Sequence, residues 1–108
     1  MTQKEFIEVL NKNGYSYEIE GDKVVVTHKG YVDLGSLTSL PPGVVFRNGG
    51  GVVLRSLTSL PPGAEFKNGR DVYLGYLIGR WFKEWKGNLK GIESKRLLNV
   101  MIKQGVFI

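Results

Sequence analysis

The chain has 108 residues, 42% hydrophobic and 23% charged, with a formal net charge of +5 at pH 7. That length is one domain's worth and excludes two independent cores, and the composition excludes a chain too polar to fold. The absence of cysteine excludes a disulfide framework, a thiol nucleophile and cysteine-based metal sites, and makes a cytoplasmic location the expectation. The apolar runs are only a few residues long, so neither a membrane span nor an export signal is expected.

From the N-terminus, Thr2 followed by Glu5 reads as a capping box, and Phe6, Ile7, Val9 and Leu10 supply the apolar stripe of a first helix that Asn13-Gly14 ends. Tyr15 to Glu20 alternates as a strand, and Gly21-Asp22 turns the chain into the segment that begins at Val24.

From Val24 onward the chain repeats itself. Ser36-Leu37-Thr38-Ser39-Leu40-Pro41-Pro42-Gly43 recurs unchanged as Ser56-Leu57-Thr58-Ser59-Leu60-Pro61-Pro62-Gly63, 20 residues on. The same offset aligns Val44-Val45-Phe46-Arg47-Asn48-Gly49 with Ala64-Glu65-Phe66-Lys67-Asn68-Gly69, and Val52-Val53-Leu54 with Val72-Tyr73-Leu74. One step earlier it reaches Val24-Val25-Val26 and Val32-Asp33-Leu34. Each unit holds two short period-2 segments separated by Gly, Asn or His turns and closed by a Leu-Pro-Pro-Gly corner, because proline is excluded from a central strand ladder. Gly49-Gly50-Gly51 reads as a tight corner of this kind; a phosphate loop would require a helix after it.

Alternation assigns the faces. Val32, Val52 and Val72 point inward with Leu34, Leu54 and Leu74, while Asp33, Val53 and Tyr73 point outward. On the other strand Val24, Val44, Ala64 and Val26, Phe46, Phe66 stack inward, leaving Val25, Val45, Glu65 and then Thr27, Arg47, Lys67 as the expected outward ladders. Leu37, Leu57 and Leu77, with Leu40 and Leu60, fill the corner side of the interior. The repeat decays after Leu77. Ser94 followed by Leu97, Leu98, Met101 and Ile102 predicts a second amphipathic helix closed by Gly105, with an apolar tail Val106-Phe107-Ile108. The fold expected is α+β in a single domain, 1–108: a short β-solenoid or leucine-rich-like repeat of about three 20-residue coils (24–77), an N-terminal helix and strand cap (1–23) and a basic aromatic C-terminal cap (78–108).

The Leu-Thr-Ser-Leu-Pro-Pro-Gly unit resembles the short leucine-rich repeats of bacterial effector proteins, and more closely the shortened versions in small phage-encoded proteins. The resemblance covers residues 24 to 77. The effector-type repeat carries an Asn two residues before the first Leu, where this chain has Gly35 and Arg55, and its span is longer; both departures favour the tighter solenoid. The ending Ser94-Lys95-Arg96-Leu97-Leu98-Asn99 with Gly105-Val106-Phe107 is similar to a recurrent ending of such phage proteins. The resemblance implies a scaffold that binds other macromolecules and carries no family-wide enzyme activity.

Candidate chemistry is sparse. His28 is the single histidine and reads as a solvated turn residue, so no metal site is expected, and the ten acidic residues show no pair held together by a motif. No enzyme activity, cofactor or small-molecule substrate is expected. Two surfaces remain. Tyr31, Asp33, Val53, Arg55, Asp71 and Tyr73 should share one exposed sheet face, a Tyr/Arg mixture of the kind enriched at protein interfaces. The second surface is set by the charge distribution. Residues 1–79 carry eight basic and eight acidic side chains, whereas Arg80, Lys83, Lys86, Lys90, Lys95, Arg96 and Lys103 face only Glu84 and Glu93, so the last 29 residues hold the whole excess. Arg80-Trp81-Phe82-Lys83-Glu84-Trp85-Lys86 interleaves cations with aromatics. That pattern fits a single-strand binder, and equally a cap whose rings cover the end of the core while its lysines face water.

The function expected is that of a non-enzymatic binding protein. The phage resemblance implies an inhibitor of a host protein or defence complex, for example an anti-CRISPR, and so a partner that is a protein or a host nucleoprotein complex, met in the host cytoplasm. A nucleic-acid-binding accessory protein using the basic cap, and a structural repeat module, stand beside it as alternatives.

Overall fold

A computed structural model describes residues 1–61, 63–74, 88–89 and 91–103. Helix α1 spans Gln3–Asn13 and opens on the expected capping box: Thr2 Oγ1 accepts from the Glu5 amide at 3.1 Å, and Glu5 Oε1 accepts from the Thr2 amide at 3.1 Å. The Thr2 amide, and the Thr2 hydroxyl donating to the same oxygen at 3.0 Å, hold the Glu5 carboxyl below its ordinary pKa. Their contribution is therefore present above the ordinary carboxylate range and fades as pH falls through the depressed value. Gly14 ends the helix in the left-handed conformation, φ 73°, where its amide reaches the Leu10 and Asn11 carbonyls.

Eight short strands come next among the described residues: β1 (Tyr17–Glu20), β2 (Lys23–Val26), β3 (Val32–Asp33), β4 (Val45–Phe46), β5 (Val52–Val53), β6 (Glu65–Phe66), β7 (Val72–Tyr73) and β8 (Asn88–Leu89). Helix α2 (Gly91–Lys103) comes last. The strands form two sheets, ordered β1-β2-β4-β6 and β3-β5-β7-β8. Pairing within the repeat is parallel at the 20-residue offset: Val25 faces Val45 and Val45 faces Glu65, while Val32 faces Val52 and Val52 faces Val72. Antiparallel strands β1 and β8 close one end of each sheet. The fold class is thus mixed α+β, with two helices and mixed sheets among the described residues.

Successive units are bonded along their whole length. Beyond the strands, Gly49 and Gly69 donate to the His28 and Asn48 carbonyls, and the Thr58 amide donates to Thr38. The repeated Ser and Thr take part, because Ser56 Oγ donates to the Gly35 carbonyl at 2.6 Å and Thr58 Oγ1 to the Thr38 carbonyl at 3.2 Å. This proximity explains the glycines. A Cβ at Gly50 would lie 2.6 Å from the Tyr31 nitrogen, and one at Gly63 would lie 2.9 Å from the Gly43 nitrogen.

The core lies between the sheets. All the described residues expected inward are buried there, among them Val24, Val44 and Ala64, Val32, Val52 and Val72, and Leu34, Leu54 and Leu74, with Leu37, Leu40, Leu57 and Leu60 on the corner side. Phe46 and Phe66 stack with parallel rings, centroids 5.0 Å apart and planes 3° apart. Phe6 and Leu10 of α1 and Leu98 and Ile102 of α2 are buried in the same cluster, one helix joining it from each terminal region.

Four expectations are corrected. Val25 and Val45 are not outward: they are 1% and 4% exposed, outside the main cluster, and only Glu65, Thr27, Arg47 and Lys67 of those ladders reach solvent. A run of three valines is the pattern of a strand buried on both faces, and strict alternation mistakes it for a half-wet one. His28 is half-buried at the position that Asn48 and Asn68 occupy in later units. Its Nδ1 accepts from the Ser16 amide at 3.4 Å, and its ring is tilted against Tyr15 at 5.0 Å. Helix α2 begins at Gly91, ahead of Ser94. Strand β8 falls within the segment expected to be cap alone, because a two-residue strand has no periodicity to read. Leu77, Trp81, Phe82, Trp85 and the tail after Lys103 lie outside the described residues.

Candidate binding face

The parallel register fixes the face. With Val32, Val52 and Val72 inward, the residues on either side of them point to solvent, giving one column of Tyr31, Gly51 and Asp71 and a second of Asp33, Val53 and Tyr73. Gly35 and Arg55 extend it as a third. All six side chains expected to share this face lie on it: Tyr31, Asp33, Arg55 and Tyr73 exposed, Val53 and Asp71 half-buried. Tyr31 is 63% and Tyr73 38% exposed, an unusual amount of aromatic surface for a chain with five tyrosines.

Two shallow depressions mark the face. One, of about 300 Å³, is lined by Tyr31, Gly51, Val53, Arg70, Asp71 and Tyr73. Gly51 is its floor: a Cβ there would lie 3.2 Å from the Asp71 carbonyl oxygen and 3.9 Å from Tyr73 Cε2, so the tyrosine ring leans over the space a side chain would fill. The second, of about 410 Å³, is lined by Asp33, Gly35, Ser36 and Arg55.

The charges on the face are unevenly engaged. Asp33 Oδ1 accepts from the Gly35 amide at 3.0 Å, and Asp71 Oδ2 accepts from the Tyr73 hydroxyl at 3.2 Å. That bond and the negative charge behind it hold the Tyr73 phenol above its ordinary pKa, so it keeps its proton across the physiological range. Arg55 and Arg70, both exposed, make no ion pair with any acid among the described residues. Two other cations of the repeat are engaged, Arg47 Nη1 at 2.9 Å from Glu20 Oε2 and Lys67 Nζ at 3.2 Å from Glu65 Oε2, while Lys29, like the two arginines, has no ion pair among the described residues. The face therefore offers two tyrosine rings, a small apolar floor, two carboxylates with a hydrogen bond already in place and two arginines without an ion pair among the described residues.

Behind it a buried amide ladder sets the curvature of the turns. Asn48 Nδ2 donates to the Gly30, Gly50 and Gly51 carbonyls at 3.0–3.2 Å, and Asn68 Nδ2 donates to Gly50, Arg70 and Asp71 at 2.9–3.3 Å. Gly51, Arg70 and Asp71 are held in place by these bonds, so the asparagines position the floor and one rim of the notch between the tyrosines. Sequence reasoning placed both in turns without giving them this role; the signal was their recurrence at 20 residues. It also missed Arg70, which falls in a turn, and Gly51, whose meaning depends on the neighbouring unit.

Of the basic patch, Lys95 and Arg96 lie on α2, with Arg96 exposed, while Arg80, Lys83, Lys86 and Lys90 lie outside the described residues. Among the described residues no group of three or more His, Asp or Glu side chains gathers as a metal site, and no helix is long and apolar enough to cross a membrane. No family model, curated protein sequence or solved structure matches the chain.

Proposed function

We propose that the chain is a short β-solenoid of the leucine-rich-like, phage-encoded kind, a non-enzymatic module that binds a protein through the face of β3, β5 and β7. The observation that carries this reading is the gathering of Tyr31, Val53, Arg55 and Tyr73 on one exposed sheet face with a notch between the tyrosines. Interfaces draw their affinity from a few aromatic and arginine anchors around a small apolar centre. The 20-residue parallel register and the amide ladder support the solenoid assignment. The resemblance of Leu-Thr-Ser-Leu-Pro-Pro-Gly to phage-type units supports a host protein or defence complex as the target and inhibition as the outcome.

The test is affinity capture from a bacterial lysate, with and without nuclease, comparing the protein with its Arg55→Ala/Tyr73→Ala variant. A protein retained after nuclease treatment and lost with the variant is the expected result. Retention that disappears with nuclease and ignores the variant would instead place function on the basic C-terminal segment.

A further inference from the structure

We propose that the notch takes an extended, acidic stretch of polypeptide, seating one aromatic or large apolar side chain over Gly51 and Val53 while neighbouring carboxylates meet Arg55 and Arg70. The proposal rests on the protein-binding reading of this face and names the chemistry of the partner.

Shape supplies the first part. Tyr31 and Tyr73 stand in the first and third rows of the face and Gly51 and Val53 in the second. Rows of a parallel sheet lie roughly 4.8 Å apart and residues along a strand roughly 3.3 Å, so the two tyrosines, two rows and two residues apart, start about 12 Å from one another at the backbone. The Tyr73 ring leans toward Gly51, so the space left between the rings is narrower than the backbone separation, and with atoms packing at roughly 3.5–4 Å it suits no more than a single side chain. The glycine holds the space open, since a side chain at position 51 would meet Tyr73 Cε2. The floor is a shallow depression of about 300 Å³, room for one anchored side chain and not for a helix sunk into it, and the segment proposed around that side chain is extended.

Charge supplies the second. Both acids of the face already accept hydrogen bonds from their own surroundings, Asp33 from Gly35 and Asp71 from Tyr73. Both arginines, on opposite sides of the notch floor in the sequence pattern, are without a carboxylate among the described residues. An incoming acid gains two forks able to bind it bidentately. Asp33 and Asp71 stay charged beside the arginines, so the face is near neutral, and its preference for an acid rests on the two guanidinium forks that have no carboxylate partner among the described residues rather than on repulsion of a base. A nucleic-acid strand is the poorer fit: its evenly spaced phosphates would also meet Asp33 and Asp71, whereas a peptide can place its charges where the arginines are.

The experiment is an amide-resolved NMR titration of the whole chain with four probes: a random glutamate–tyrosine copolymer, a glutamate homopolymer, a lysine–tyrosine copolymer and oligothymidine. The glutamate–tyrosine copolymer is expected to shift the amides of residues 31, 51, 53, 55, 70 and 73, and to bind more tightly than the homopolymer. Exchanging both cations in Arg55→Glu/Arg70→Glu should weaken it about tenfold while the thermal transition stays in place, both arginines being exposed. Equal or tighter binding of the lysine–tyrosine copolymer, stronger shifts of the same amides by oligothymidine, or no shift with glutamate–tyrosine would each overturn the proposal. If one of these occurs while capture of a protein still depends on Tyr73, the binding face stands and only its acidic partner falls.

Discussion

At the scale of single residues, position in the 20-residue register decides how much a side chain matters. Phe66 is buried, with its ring stacked 5.0 Å from that of Phe46, whereas Arg47, its neighbour's counterpart one unit earlier, is exposed and pairs its side chain with Glu20. Phe66→Ala removes a large core group and leaves a cavity that the bonded units on one side cannot close, so it should cost about 3–5 kcal/mol. Arg47→Ala breaks one surface ion pair worth no more than about 1 kcal/mol. Chemical denaturation of the two variants measures both, and equal losses would contradict the register. The repeat made this contrast readable in advance, since identical residues at one offset can stack only if the units lie directly over one another. Val25 and Val45 were misread for a physical reason: alternation reports one wet face, and a strand covered on both sides carries no alternation to report. The notch was half legible, its tyrosines and Arg55 being ladder positions, while Arg70 and Gly51 take their meaning from a neighbouring unit's backbone.

Among the elements, the problem is how a stack of parallel strands ends without offering its last edge to another chain. Two ends are covered by antiparallel strands, β1 against β2 and β8 against β7, and β1 carries Glu18 and Glu20 exposed to solvent. The other two are closed by single side chains. At β3 the Asp33 amide points away from β5 and donates to the Tyr15 hydroxyl at 3.1 Å. At β6 the Phe66 amide donates to Asn99 Oδ1 at 2.7 Å and the Phe66 carbonyl accepts from Asn99 Nδ2 at 2.9 Å. The Asn99 amide thus pairs like one residue of a next strand. The sequence predicts helices as the lids, and α2 does bring Leu98 and Ile102 into the core, but which polar group would meet the edge is a matter of helix rotation that no pattern specifies. Asn99→Leu keeps an apolar contact and orphans both Phe66 groups, at about 1–3 kcal/mol, and reopens the edge. Lower stability with concentration-dependent self-association, tracked by denaturation and light scattering, is the expected outcome. A variant as stable and monomeric as the parent would mean that the apolar contacts of α2 close the edge unaided.

For the molecule as a whole, charge is divided along the chain: residues 1–79 are balanced, and the excess of +5 belongs to the last 29. The tyrosine face is built from the balanced part, so the two functional readings respond to different substitutions. If nucleic acid were the ligand, Lys83, Lys86 and Lys90 would contact phosphates, and replacing the three with glutamine would reduce the salt slope of binding by about three and weaken it whatever the base sequence. If a protein binds at the tyrosine face, the positive charge of the C-terminal segment acts mainly on encounter. The same replacement should then slow association at low salt, leave the dissociation rate nearly unchanged and lose its effect as salt rises and the field is screened. Tyr73→Ala should do the reverse, raising the dissociation rate at every salt concentration, because it removes an anchor beside the Gly51 floor and no net charge. We expect the second pattern, measured by surface-based kinetics on the captured partner across a salt series. A lysine-to-glutamine variant that loses affinity at high salt, with Tyr73→Ala unaffected, would assign function to the C-terminal segment.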